Sequence, residues 1–407
     1  MQSLDVLAVI RAPLEQYPPS LNQVALLAEG GLRVAVVDCW RADFVPHIFP
    51  GPEPVERLRP CEGASLKEGV PSIPVRVWRT LAFRRCVLRA IRQRSPKVVI
   101  AYDPGAMAAV GPLWNREPHP KLVWHFHELC FQARKEAGFL GRQAIDFAYR
   151  HANRVDLVSC PDQGRGQILT ETATLATAPM VVMNCPRRTE HVPQEGLSAR
   201  LVSQGMAGLR TVYFHGWIGP NRGLEAVIHS MRWWPENSVF TIVGPAADAY
   251  RASLLSIANL VGVQSRVVFL GSVPYSQVLS LAAGATVGCS LVTGQDDPNW
   301  IYSAGAINKR FEYMAAGLAQ VTNNGAGVSE IVDQNQCGVS VDPRSPEAIG
   351  QALRQILADE PRRQMFSRSA RAAHLRLYNY ETQFAEAGRW IRSACQVQPR
   401  LALAQTA

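Results

Sequence analysis

A chain of 407 residues exceeds the roughly 100–200 residues of an ordinary domain, so two domains are expected, each large enough to bury its own core. With 47% hydrophobic and 18% charged residues and a mean hydropathy of −0.04, the composition excludes a disordered or fibrous chain, and no run approaches the roughly 18 apolar residues of a membrane span. Nine cysteines with no CxxC pair and no zinc-type spacing argue against a disulfide framework and for a cytoplasmic setting, while the net charge of +9 is concentrated rather than spread.

The opening MQSLDVLAVIRAP has an apolar run but no basic lead and no small-residue cleavage site, so Leu4 to Ile10 reads as a first strand and not as a secretion signal. Leu21 to Glu29 is apolar at helical spacing and closed by Gly30-Gly31, and Leu32 to Asp38 is a second strand, completing one βαβ unit. Pro46 to Pro74, rich in Pro, Gly and charge, reads as a long loop. The segment from Arg76 to Lys97 then carries Arg76, Arg79, Arg84, Arg85, Arg89, Arg92, Arg94 and Lys97 with no acid. Taken as a helix from Trp78 to Arg92, it sets Arg85, Arg89 and Arg92 on one face, with Leu81, Leu88 and Ile91 beside them. Such a surface suits an anionic membrane, at the inner face, or a lipid-diphosphate acceptor; the plain alternative is a sheet-covering helix with a solvated basic rim. Nucleic acid is not expected as a partner, because no aromatic interleaving or binding motif accompanies the charge.

Strands follow at Lys97 to Ala101, Leu122 to His127, Val155 to Ser159 and Met180 to Met183. Asp103-Pro104-Gly105 after the first of these reads as an ordinary turn that could also touch an acceptor. In KLVWHFHELC, His125 and His127 share one face of a strand and His127 closes it, where strand ends carry ligand sites. Two histidines without a third ligand do not make a metal centre. Cys185 to Gly208 reads as an interdomain linker. Alternation then resumes with strands Thr211 to His215, Val239 to Val243, Val267 to Leu270, Thr286 to Ser290 and Leu318 to Thr322. Helices are expected at Gly223 to Met231, Tyr250 to Val261, Lys309 to Ala316 and Pro346 to Leu357. The fold class is therefore α/β, with two doubly wound, Rossmann-like domains facing across a cleft.

Two segments carry the chemistry. In VYFHGWIGPNRGLEAVI a strand ends at His215, Gly216, Gly219 and Gly223 bracket a tight loop, and a helix starts after Arg222. Backbone N–H groups, a helix N-terminus and an arginine together make an anion site that suits a diphosphate, although the spacing is neither a Walker loop nor GxGxxG; an ordinary strand-to-helix turn is the plain alternative. In GAINKRFEYMAAGLAQVTNN, Lys309 and Glu312 share one helix face, the cation suited to phosphate and the carboxylate to sugar hydroxyls; an i,i+3 surface ion pair is the plain alternative. Asp296-Asp297 could suggest a metal motif, but Arg, Lys and a helix dipole suffice for phosphate charge, so no metal is expected.

These segments, with FLGSVPYSQVLSLAAGATVGCSL between them, resemble the C-terminal domain of family 4 glycosyltransferases of the GT-B architecture, in the branch whose motif reads close to NK-x-FEYMAAG. The resemblance implies a nucleoside diphosphate sugar as co-substrate, with no other cofactor, held by the C-terminal half. It implies phosphate contacts from Arg222 and Lys309, a ribose contact from Glu312, and Gly216 and Gly219 in the loop. It further implies donor contacts near Gly325 and Gly327, with Glu330 either a donor contact or a plain capping carboxylate. KLVWHFHELC resembles the same family's HEL or HD motif, which makes His127 the catalytic-site candidate and Glu128 its neighbour. Two positions depart from the pattern: Ala304 stands where many members carry a glutamate, and Trp217 where others carry an arginine.

The resulting expectation is an acceptor-side domain over residues 1–184, a linker over 185–208 and a nucleotide-sugar domain over 209–380, with a C-terminal helix and tail over 381–407 placed to pack back on the first domain. The activity implied is a retaining, metal-independent transfer of sugar to a saccharide or lipid-linked glycan, in surface polysaccharide biosynthesis. A sugar-nucleotide epimerase or hydrolase, or a non-catalytic partner that kept the cradle, are the other readings.

Overall fold

The computed structural model describes residues 3–39, 47–49, 51–52, 54–59, 72–115, 119–194 and 196–396. Much of the segment read as a long loop, Pro46 to Pro74, and the tail beyond residue 396 lie outside the described residues. The chain divides into two compact units, one formed by residues 1–182 together with 384–407, the other by 183–383.

In the first unit the described strands are β1 (Val6–Val9), β2 (Val34–Val37), β3 (Glu56–Leu58), β4 (Val98–Ala101), β5 (Lys121–His125), β6 (Leu157–Cys160) and β7 (Met180–Val181), in the order β3-β2-β1-β4-β5-β6-β7 and all parallel. The second unit holds β8 (Arg210–His215), β9 (Ser238–Val243), β10 (Val267–Phe269), β11 (Val287–Ser290), β12 (Gln320–Asn323) and β13 (Gly338–Val341), in the order β10-β9-β8-β11-β12-β13, again parallel. Central strands such as VLAV, VAVV and VVIA are buried at every position, as a sheet covered on both faces requires. In each unit the order reverses beside the first strand, between β1 and β4 and between β8 and β11, where open sheets of this kind leave room for ligands.

Local signals explain most helix limits. Asp103 and Asp162 each accept from backbone N–H groups of the helices they open, Pro104–Val110 and Gln163–Ala173, and Asp103 also accepts from the Arg11 N–H at 2.5 Å. Gly317, at φ 67°, stops the helix Asn308–Ala316. The basic helix runs from Ile73 to Arg94, not Trp78 to Arg92: Pro74 falls in its first turn, where a missing N–H costs nothing. Its buried face is Phe83, Val87, Ala90 and Ile91, whereas Leu81 is exposed. The stretch read as a linker contains the helix Gly196–Val202, whose Leu197 and Leu201 are buried in the second unit's core, so it packs rather than spans. The helix Tyr380–Gln396 begins in the second unit and completes the first, burying Phe384, Ala387, Ile391 and Cys395.

Candidate functional site

The glycine loop after β8 is built by close backbone approach. Gly216 has φ 109° and Gly244 φ 141°, and a Cβ on Gly244 would lie 1.9 Å from the Gly216 carbonyl oxygen, so neither place admits a side chain without rebuilding the loop. A Cβ on Gly216 would meet the Lys309 ammonium at 2.8 Å. Lys309, in the first turn of Asn308–Ala316, thus reaches across to the loop, its Nζ 5.0 Å from the centre of the Phe214 ring. Burial, and then the neighbouring Arg222, push its pKa down to about 7. A lysine held this way gains its charge most readily when an anion arrives.

Glu312, one turn further on, is buried and accepts a 2.7 Å hydrogen bond from His215 Nε2. Burial alone would raise its carboxyl, but His215, Lys309 and the Tyr275 hydroxyl outweigh that and hold it below its ordinary value. Lys309 and Glu312 are therefore not a surface ion pair. Arg310 between them is fully buried, donating to the carbonyls of Ser303 and Ala304 and to Thr322 Oγ1 and Asn323 Oδ1. Asn184 holds the next two carbonyls, its N–H on Gly305 at 2.8 Å and its side-chain amide on Ala306 at 3.0 Å. Four successive carbonyls of the turn leading into Lys309 are thus tied down.

Arg222 lies near two indoles, its guanidinium 4.6 Å from the Trp300 ring centre and 5.8 Å from that of Trp217. Trp217 occupies the space above Gly219, where a Cβ would fall 2.2 Å from the indole, so Gly219 makes room for Trp217. Gly325 and Gly327 sit after β12; Gly327 has φ 74° and its absent Cβ would lie 3.0 Å from that of Ala304, which is buried. Glu330 is exposed in the first turn of Val328–Val332. Asp297 caps the short helix Pro298–Ile301, and among the described residues no group of three His, Cys, Asp or Glu could hold a metal ion.

In the first unit β5 ends at His125, so His127 belongs to the following loop rather than closing the strand. His127 Nε2 hydrogen-bonds Ser20 Oγ at 2.9 Å, its ring stacks on Tyr17 at 4.9 Å between centres, and Arg165 donates to its carbonyl at 2.7 Å. Burial and then Arg165 push its pKa down to about 4, which keeps the ring neutral near pH 7. His125 is buried against Ser159 Oγ at 2.8 Å and also stays neutral. Arg85, Arg89 and Arg92 are exposed on Ile73–Arg94, apart from this cluster.

Sequence reading missed His215, Asn184, Arg310, Trp300, Tyr17 and Ser20. His215 alone had a signal, being the last residue of a strand that feeds the glycine loop.

Two parallel sheets with this winding define the class, a two-domain GT-B fold. Sucrose-phosphate synthase from Thermosynechococcus elongatus is similar in structure, with a TM-score of 0.72 at 14% identity over 97% of this chain and 99% of that one. Anabaena HepE, solved with UDP-glucose, gives 0.71 at 15% identity over 96% and 100%. WaaG, a glycosyltransferase involved in lipopolysaccharide biosynthesis, gives 0.65 at 16% over 95% and 99%. The family described as Glycosyltransferase Family 4 matches residues 22–190, and that described as Glycosyl transferases group 1 matches 207–373. This chain belongs to the family 4 glycosyltransferases. An uncharacterized glycosyltransferase from Methanocaldococcus jannaschii is 26% identical over 150 residues, a stretch covering 37% of this chain and only 36% of that protein.

Proposed function

We propose that the protein transfers a sugar, with retention, from a nucleoside diphosphate sugar to a saccharide or lipid-linked glycan acceptor in surface polysaccharide synthesis. The observation that carries this is Lys309, partly buried against the side-chain-free face of Gly216 and within the field of Arg222. Two cations beside backbone N–H groups suit a departing diphosphate, whose charge grows as the glycosidic bond breaks. Glu312, fixed by His215, is available to ribose hydroxyls, and neutral His127 of the first unit can accept or donate one hydrogen bond, as a catalytic-site histidine would. The same cations offset phosphate charge, so we expect no requirement for a metal.

The test is a thermal-shift series with UDP, GDP and dTDP and their common sugars, UDP first because HepE has been solved with UDP and with UDP-glucose. A nucleotide at about 100 times its Kd adds roughly 2.7 kcal/mol of stability. Loss of that shift in Lys309→Ala and Arg222→Ala supports the donor site; no shift from any nucleotide sinks it. Steady release of free sugar without an acceptor would favour the hydrolase reading.

We further propose that this enzyme works at an anionic membrane. No helix among the described residues is long and apolar enough to cross a bilayer. The first turns of Ile73–Arg94 nevertheless expose Ile73 at 74% and Trp78 at 52%, and Phe139, exposed at 75%, follows Gly138, against which the Arg76 guanidinium lies. Trp78 shares the outward face of this helix with Arg85, Arg89 and Arg92, which continue it toward the C-terminus, and an apolar end beside a basic row suits shallow insertion under phosphate headgroups. Sedimentation with phosphatidylglycerol vesicles, but not with phosphatidylcholine vesicles, is expected, and Trp78→Ser with Phe139→Ser should abolish it. Equal sedimentation with both lipids, or with neither, removes this surface.

A further inference from the structure

Arg222 stands between two residues of left-handed backbone, Asn221 at φ 63° and Gly223 at φ 67°, so the chain is bent on both sides of it. The bend is pressed onto the end of β11. A Cβ on Gly223 would come 2.6 Å from that of Leu291, and the Thr293 N–H donates to the Asn221 carbonyl at 3.3 Å. The loop after β11 is thereby fixed to the glycine loop, and each of the two supplies one indole to Arg222, Trp300 at 4.6 Å and Trp217 at 5.8 Å. Both indoles rest on a glycine. A Cβ on Gly219 would fall 2.2 Å from Trp217 Cη2, and one on Gly294 would fall 2.6 Å from Trp300 Cγ and Cδ1. Neither glycine has a positive φ, so the requirement at both is for space beneath a ring and not for backbone freedom.

An indole attracts a cation at its face, and a guanidinium is planar: contact with a ring uses its faces, while its N–H donors point outward in its own plane. Two rings beside one guanidinium therefore narrow the orientations open to a rotamer-rich side chain without consuming donors, which lowers the entropy that a phosphate contact must remove. Trp217 is 53% exposed, so its ring is not taken up by filling the core. It also stands where other members carry an arginine. At this position the chain has exchanged a second cation for a group that holds the first.

We propose that Trp217 and Trp300 are positioning residues for phosphate binding, two indoles that hold the Arg222 guanidinium so that its in-plane N–H groups meet the diphosphate of the donor. The inference deepens the glycosyltransferase reading and rests on it for the identity of the anion.

The experiment is calorimetry on the full chain with UDP, GDP, dTDP and inorganic pyrophosphate, with urea unfolding of each variant to confirm that it is folded. Trp300→Leu should weaken binding about three- to ten-fold and Trp217→Leu, whose ring is more distant, about two- to five-fold. Trp300→Phe and Trp217→Phe keep a ring face and should recover most of the loss. Gly219→Ala keeps both indoles in the chain but pushes the outer edge of Trp217 off its seat. It should match Trp217→Leu, and the two combined should bind no more weakly than either alone. In an Arg222→Lys background, which lacks the planar fork, each Leu variant should cost less than about two-fold more. A loss that persists at full size in that background means that the indoles act on the ligand themselves and overturns the proposal. Leu variants that bind like the wild type, or Phe variants as weak as the Leu ones, overturn it too while leaving the donor site intact. If pyrophosphate binds with the expected pattern and no nucleotide does, the donor reading falls and the positioning role stands; if no anion binds at all, both fall.

Discussion

The two units wind their sheets in the same order around the first strand, yet they fill the place beside that strand with opposite chemistry. Beside β8 stand Lys309, Glu312 and Arg222, charges held in a scaffold of buried hydrogen bonds around Arg310 and Asn184. At the carboxyl ends of β1 and β5 lie Tyr17, Ser20 in the helix Pro18–Glu29, and His127, an uncharged set of side chains with Arg165 on the His127 carbonyl. Topology alone therefore does not decide what a strand-end site can bind; the charge that the surrounding burial tolerates does. The first set suits an anion such as a diphosphate, the second an uncharged group that hydrogen-bonds.

The sharpest way to break this contrast is to remove the central cation. Lys309→Ala should lower kcat/KM by about 100- to 1,000-fold, the usual cost of losing a preorganised electrostatic contact to the leaving group, and weaken nucleoside diphosphate binding in parallel. His127→Gln probes the neutral set: kcat should fall by about 100-fold while the nucleoside diphosphate Kd stays the same, and a matched loss of nucleotide affinity would contradict the division of labour. With Lys309 near pKa 7, the sign of the pH dependence follows directly. Above pH 7 the free protein carries neutral Lys309, and the bound diphosphate favours the ammonium, so binding takes up a proton. The Kd should rise with pH by up to about ten-fold per unit above 7, with a calorimetric enthalpy that depends on the buffer, and Lys309→Arg should remove both signatures. Smallest is Asn184→Ala, which frees the Ala306 carbonyl in the turn before Lys309 and leaves the backbone bond to Gly305 in place. A two- to ten-fold weaker nucleotide affinity, about one hydrogen bond, is expected, with stability measured by urea to separate local loosening from unfolding.

Much of the architecture could be read from residue pattern because it depends on local rules. Uninterrupted Val and Ile runs mark doubly covered strands, and Gly30 and Gly317 mark helix stops. What escaped was either short and half exposed or non-local. Strand β3, Glu-Arg-Leu, sits at a sheet edge with all three residues only partly buried, so it lacks an apolar signature. Arg310 looks like a surface residue in NKRFEYM, and only the fold reveals the four acceptors that make its burial tolerable. The His215–Glu312 bond joins residues 97 apart, and the stacking of Arg222 on Trp300 likewise depends on two loops from neighbouring strands. Lys309, Glu312, Arg222 and the glycines were legible as a set because they cluster in two short segments; the groups that orient them were not.

The helix Tyr380–Gln396 starts in one unit and finishes the other, with Cys395 Sγ near the Asp5 carbonyl at 3.6 Å and Arg392 beside Gly30. The polypeptide therefore passes between the units twice, and neither half is a self-contained cassette. A hybrid enzyme made by joining the first 182 residues to the remainder of a relative would inherit a foreign strut inside its own amino-terminal core. Successful shuffling of specificities in this protein would have to carry the last helix along with the sheet it supports, even though some 200 residues separate them in the chain.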